Sequence, residues 1–165
     1  MKKTTRTALF IYLSFSLYNL WSLRPVNILY VDLISWSDAG SHANHITVVV
    51  DHFPWTDRDR IAWFLAHESE IRAWHPDFKD RVDGIFIMIA SEGFLNRLEY
   101  PHEDLYCFSS IKNPKNCIEK DVPLRISHDS DSPVIFELEE ANYLYNNGKI
   151  EVAPDYYLIH RDYQE

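Results

Sequence analysis

Two cysteines and eight histidines are the residues of this 165-residue chain best suited to redox or metal chemistry. The cysteines, Cys107 and Cys117, lie in LYCFSSIKNPKNCIEK with nine residues between them. Thiolates that share a metal usually stand two to four residues apart and need a second pair of ligands, which has no obvious source here. Two states remain for them: a disulfide in an oxidising compartment, or two reduced, buried thiols. Asn113-Pro114 between them is a turn signal that lets the chain double back. Closing so short a loop would contribute roughly 2–3 kcal/mol in the chain-entropy picture.

Among the histidines, His42 and His45 stand three apart and His52 follows Asp51. On a helix that spacing can share a metal, but the surrounding residues read as loop and strand, where i and i+3 face apart. The zinc-protease pattern HEXXH fails in His67-Glu68-Ser69-Glu70-Ile71, with isoleucine at the place of the second histidine. Glu68, Glu70 and Glu92 are candidate paired carboxylates for glycoside hydrolysis, yet nothing in the sequence fixes their separation. They read more simply as a solvated helix face and a loop. GxSxG, GxGxxG and Walker-type loops are missing, and four glycines are few for phosphate cradles. The chain therefore reads as a non-enzyme, with no cofactor, no metal site and no evident small-molecule substrate.

The element that places everything else is Thr7–Leu23, TALFIYLSFSLYNLWSL, an uncharged stretch preceded by Lys2, Lys3 and Arg6. As a helix it is about 25 Å long, at the short end of what spans a hydrocarbon core. Leu9, Phe10, Ile11, Leu13, Leu17, Leu20 and Trp21 distribute apolar surface all round it. A signal peptidase needs small residues at alternate positions, and Leu20-Trp21-Ser22-Leu23-Arg24-Pro25 offers bulky ones. An uncleaved signal anchor is expected over residues 1–24, with one exported domain over residues 25–165. Positive charge is heavier on the N-terminal side, so the expected topology is single-pass in a bacterial inner membrane. The N-terminus would lie in the cytoplasm and the domain in the periplasm.

Past Pro25 the chain holds twelve Lys and Arg against 25 acids, a net charge of −13. That argues against nucleic acid as a partner, since phosphate binding needs clustered cations. It suits electrostatic steering of a basic protein. An aromatic content of 15% with four glycines argues against disorder.

Along the domain, Val26–Leu33 and the β-branched run His45–Asp51 read as strands able to pair as a hairpin, with Ser35–Asn44 as a polar loop. Thr56 is a good N-cap, with Asp59 at the capping-box position and Phe53 or Trp55 available as a staple. The helix should run from about Asp57 to Trp74, with Ile61, Phe64, Leu65 and Ile71 at helical spacing and a tryptophan stripe read as core. His75-Pro76 ends it. Asp83–Ala90, Leu105–Phe108, Leu124–His128 and Val134–Leu138 read as further strands. Asn142–Val152 is a hairpin turning at Asn147-Gly148. The fold class expected is α+β: the anchor helix, then one domain with an antiparallel sheet packed against one main helix.

Several pieces together resemble an enterobacterial family of membrane-anchored proteins, the domain-of-unknown-function family nine-four-three. They are Leu23-Arg24-Pro25-Val26, Phe53-Pro54-Trp55-Thr56-Asp57, Ile61-Ala62-Trp63-Phe64-Leu65, the Cys107 to Lys120 segment and Asn147-Gly148-Lys149-Ile150. Trp55 stands where phenylalanine is expected. The resemblance supplies no catalytic residues. It implies a short envelope protein whose relatives look like the small proteins encoded near secreted antibacterial effectors. A binding protein follows, in the form of an immunity protein that neutralises such a toxin by direct contact. The alternative is a non-catalytic accessory or scaffold protein of a membrane complex.

Overall fold

A computed structural model describes residues 2–38, 41–78, 81–127 and 133–154. Two helices are present among them, α1 (Lys2–Ser22) and α2 (Asp57–Ala73). The strands are β1 (Ile28–Asp38), β2 (Ser41–Val50), β3 (Gly84–Ile89), β4 (Leu95–Asn96), β5 (Leu105–Cys107), β6 (Lys115–Glu119), β7 (Leu124–Ser127), β8 (Val134–Glu137), β9 (Asn142–Asn146) and β10 (Lys149–Val152). Seven of them form one sheet in the order β1-β2-β3-β7-β8-β9-β10, and the other three form a small sheet, β4-β6-β5.

The α+β class is seen, but the expected sheet is corrected in kind and in extent. β2 and β3 pair in parallel, from His45↔Gly84 to Val50↔Ile89, because α2 carries the chain from one end of β2 back to the other before β3 begins. The remaining pairs of the large sheet are antiparallel. The polar stretch expected as a loop over 35–44 instead extends the first hairpin, whose ladder continues out to Asp38↔Ser41. Ser35, Trp36 and Ser37 are exposed there, so the ladder outruns the core and does not need an apolar face. β4 and β6 were not expected as strands. The turn signal before β6 is real, since Asn113 Oδ1 accepts the Lys115 N–H at 2.9 Å, and the strand starts directly after it.

Three layers result. On one face of the sheet, Ile61, Trp63, Phe64 and Ile71 of α2 pack against Ile46, Val48 and Val50 of β2, with Ile85, Ile87, Leu124, Ile126 and Phe136. On the other, Val49, Met88 and Ala90 pack against Ile118 of the small sheet and against Phe108, which follows β5. β2 is thus buried on both sides, which is why its residues read as a continuous β-branched run rather than an alternation.

α2 begins as its sequence directs. The Thr56 hydroxyl oxygen accepts the Asp59 N–H at 3.3 Å and donates to the Asp59 carboxylate at 2.6 Å. Of the two staple candidates Phe53 is used: it is buried and meets the Trp63 ring edge-on at 5.2 Å, while Trp55 is exposed. The tryptophans divide likewise, with Trp63 in the core and Trp74, the C-cap, exposed. At the last hairpin, Asn147 and Gly148 take φ of 49° and 82°, the left-handed pair that a type I′ turn requires.

The signal anchor is the main correction. Among the described residues no helix is long and apolar enough to cross a membrane. α1 forms, but Ser14, Ser16 and Asn19 dilute it, and its last turn is held by the domain. Tyr18 donates a hydrogen bond to the Asp59 carboxylate and packs against Trp55 at 5.8 Å. Ser22, only 1% exposed, accepts the Trp55 N–H at 3.0 Å. What remains apolar and unattached, Thr7–Leu17, is about 16 Å long, roughly half a hydrocarbon core.

Candidate binding surfaces

The cysteines occupy facing positions on neighbouring strands. Cys107 of β5 is the register partner of Cys117 of β6, and the two form a disulfide with a Cα–Cα distance of 4.0 Å. Cys117 packs with Leu95 and Leu105, so the bond stitches the small sheet that covers Val49 and Met88. Its role here is structural.

The histidines are spread through the fold rather than gathered. His52 pairs with Asp51 at 2.7 Å and reaches the Arg24 carbonyl at 3.3 Å, tying β2 to the segment that follows α1. Burial alone would push the Asp51 carboxyl up, but hydrogen bonds from Asn27 and the contact with His52 bring it below its ordinary value. His67 stacks on Trp63 at 4.7 Å, and its Nδ1 bonds the Trp63 carbonyl at 2.8 Å. His75 Nε2 lies 3.3 Å from the Val31 carbonyl. His42 is exposed on β2, away from the partly buried His45. Among the described residues no group of three or more His, Cys, Asp and Glu could hold a metal. Glu68 binds Arg72 across one helical turn at 2.9 Å, while Glu70 and Glu92 are not brought into its company.

The seven residues expected to form the anchor, Leu9, Phe10, Ile11, Leu13, Leu17, Leu20 and Trp21, are all exposed on α1. At its end the Arg24 guanidinium lies over the Trp21 ring at 5.0 Å, a cation–aromatic pair of the kind found at membrane interfaces.

Among the concave surfaces formed by the described residues, two regions bear on binding. The first is polar and surrounds the N-terminus of α2: Trp55, Asp57, Arg58, Arg60, Glu139 and Glu140 line one recess. Asp121, Arg125, Glu137 and Glu139 line another that shares Arg60 with it. Tyr143 reports the local field. Burial, then its hydrogen bond to Asp57 and the negative charges of Asp57 and Glu140, raise its phenol above the ordinary value.

The second surface is mostly apolar, a groove of about 500 Å³ on the face of the large sheet away from α2. Ile34, Thr47, Phe86, Met88 and Val122 give it an apolar lining, and Tyr106, His45, Lys120 and Arg125 complete it. Sheet register builds it. Thr47 pairs with Phe86, Phe86 with Arg125 and Arg125 with Glu137, a row across four strands. Gly84 makes room for His45: a Cβ there would stand 2.9 Å from His45 Nδ1. Desolvation raises the Tyr106 phenol above its ordinary value, more than its hydrogen bond with Thr47 lowers it. The sequence offers one clue to this groove, an arginine between the buried Leu124 and Ile126 of a strand. Its other residues are ordinary strand residues until the sheet assembles them.

No curated protein and no solved structure matches the chain. The match of a family model to residues 1–153 does cover nearly all of it. The chain belongs to that family, which is described as "Enterobacterial putative membrane protein (DUF943)".

Proposed function

We propose that this chain is a membrane-attached binding protein, not an enzyme, whose domain lies in the periplasm and captures a protein partner. The observation that carries this reading is the acidic recess at the start of α2. There Asp57, Glu139 and Glu140 outnumber Arg58 and Arg60 around Trp55, a residue 56% exposed. A large exposed aromatic beside carboxylates that exceed the local cations suits an interface hot spot for a basic partner. The net charge of −13 beyond Pro25 would steer such a partner inward.

In its most specific form the protein is an immunity protein that neutralises a secreted antibacterial effector, a basic toxin, by direct binding. The family resemblance supports this step by association. Cells with and without the chain, challenged with the toxic product of the adjacent gene, test it. Survival only with the chain is expected, together with loss of protection and of co-precipitation in Glu139→Lys/Glu140→Lys. Equal survival removes the antidote. The second reading, an accessory or scaffold protein of a membrane complex, draws on the mounting of α1 against α2 through Tyr18 and Ser22. It is favoured if the co-precipitated partner is a membrane component with no toxicity.

The location proposed is the inner membrane, with the N-terminus in the cytoplasm. The disulfide supports an oxidising compartment for the domain. Full crossing by α1 requires the Tyr18–Asp59 contact to open and the bilayer to thin around a short span. A periplasm-dependent reporter fused after Glu165 should be active, and activity only of a cytoplasmic reporter would overturn the topology.

A further inference from the structure

We infer that the groove beside Phe86 is a binding site for an anionic amphiphile, a ligand with a slender apolar body and a carboxylate head, of the fatty-acid class. Two independent observations carry it.

The first is shape and lining. About 500 Å³ with an apolar floor lies within the range of small-molecule sites, and it is open at one side, as an acyl chain needs to enter.

The second is an unanswered cation. The Arg125 guanidinium sits over the Phe86 ring at 5.8 Å and has no carboxylate at ion-pair distance among the described residues. Its cross-strand neighbour Glu137 is engaged elsewhere, since its Oε1 accepts the Ser127 hydroxyl at 2.7 Å. Asp121, Glu137 and Glu139 share a recess with Arg125 without forming an ion pair with it, so its guanidinium over the aromatic floor is available to a ligand's carboxylate. Lys120 across the groove differs: it is held by Asp104 at 2.6 Å.

His45 bounds the site. Its Nδ1 is buried without a hydrogen-bond partner, and its ring meets Phe86 at 5.4 Å in the groove lining. That nitrogen lies over Gly84 with no accessible surface, so His45 serves the groove as the wall beside Phe86 and not as a ligand contact. The carboxylate is therefore placed at Arg125, and the apolar chain over Met88 and Ile34. Arg125 also lines the polar recess beside Arg60, but no residue of the groove lines the recess around Trp55, so the tests at Glu139 and Glu140 and at Arg125 fail separately.

The test uses the full chain in membranes with a medium-chain fatty acid that carries a photoactivatable diazirine at its chain end. The matching alcohol is run in parallel. Labelled peptides are mapped by mass spectrometry, and label on the exposed apolar residues of α1 gives an internal measure of bulk lipid contact. The expected result is acid-dependent label on the segments holding Phe86, Met88 or Tyr106. It should fall about tenfold in Arg125→Gln, the loss of one charge-assisted contact, and be largely kept in Arg125→Lys. Arg125 is exposed, and an unchanged α1 label with an intact Cys107–Cys117 bond confirms that the variants fold. Three results would overturn the inference: label on α1 alone, equal groove label from acid and alcohol, or groove label indifferent to Arg125→Gln.

Discussion

α1 carries nine large exposed hydrophobic or aromatic side chains, from Leu9 to Trp21, and among its described side chains buries only Ser22 at its end. α2 is shorter and much richer in charge, yet it buries Ile61, Trp63, Phe64 and Ile71. Apolar content alone would assign these roles the other way round. The difference lies in what stands opposite. α2 has a sheet face of Ile46, Val48, Ile85, Ile87, Leu124 and Ile126 to cover, and four apolar positions at helical spacing suffice for that. α1 is apolar on every side and meets the domain only through its last turn, so most of its surface has no counterpart among the described residues. That unpartnered apolar surface is what the proposed membrane attachment would use.

The largest test of this contrast is a pair of truncations. Phe64→Ala removes a ring that packs edge-on against Phe136 at 5.8 Å, and should cost about 3–5 kcal/mol of domain stability in denaturant unfolding. Phe10→Ala, at 73% exposure, should leave the same transition within about 0.5 kcal/mol. A comparable loss from both would mean that α1 is a hidden part of the core.

Next in size is the disulfide. Replacing Cys107 and Cys117 by serine together should cost roughly 2–3 kcal/mol, read as a lower midpoint of thermal unfolding. The small sheet should loosen first in hydrogen exchange, while α2 keeps its protection. Wild-type protein should show no thiol open to alkylation. Quantitative labelling of both cysteines would remove the bond from the account.

The smallest effect sits at the junction of the two helices, where Asp59 serves both. Hydrogen bonds from Thr56 first, then Tyr18, hold its carboxyl below the ordinary value against a smaller desolvation effect. A carboxyl depressed in the folded state contributes stability above its unfolded pKa, and loses it as pH falls through the folded value. The contribution should therefore be present above about pH 4 and fade below it. Unfolding followed from about pH 6 down to about pH 2, across the carboxylate range, should show a shallower acid slope in Asp59→Asn than in wild type. Tyr18→Phe should leave the α2 cap in place while raising the mobility of a spin label on α1. Thr56→Ala should instead cost the domain about 1 kcal/mol. Identical effects of the two substitutions would show that α1 and α2 are one cooperative unit.

How much could be read in advance varied with the range of the forces involved. The Thr56 cap and the Asn147-Gly148 turn depend on groups within a few residues of one another, and the Phe53–Trp63 contact joins residues ten apart at one helix start; each forms as its local chemistry requires. The β-branched run ending in Val48-Val49-Val50 announced a strand, although not that two different layers would cover it. The loop expected over 35–44 failed because the two halves of that stretch pair with each other, from Ser35↔Asn44 to Asp38↔Ser41, and carry the apolar hairpin ladder on through a polar composition. β6 was hidden for a similar reason: Lys115-Asn116-Cys117 lacks a strand's pattern until β5 supplies the facing cysteine.

By itself the sequence determined the division of the chain into a cation-led apolar segment and an acidic domain. It also determined the capped helix, the closing hairpin and the availability of one cysteine pair. These follow from composition and from contacts a few residues long. Only the tertiary structure decided that β2 and β3 run parallel, that α1 ends docked on Asp59 and Trp55, and that Thr47, Phe86, Arg125 and His45 share one groove. Those residues come from separate strands, and register between strands is settled by the burial of whole faces. A shift of one residue would turn Phe86 into the core and Ile87 out of it.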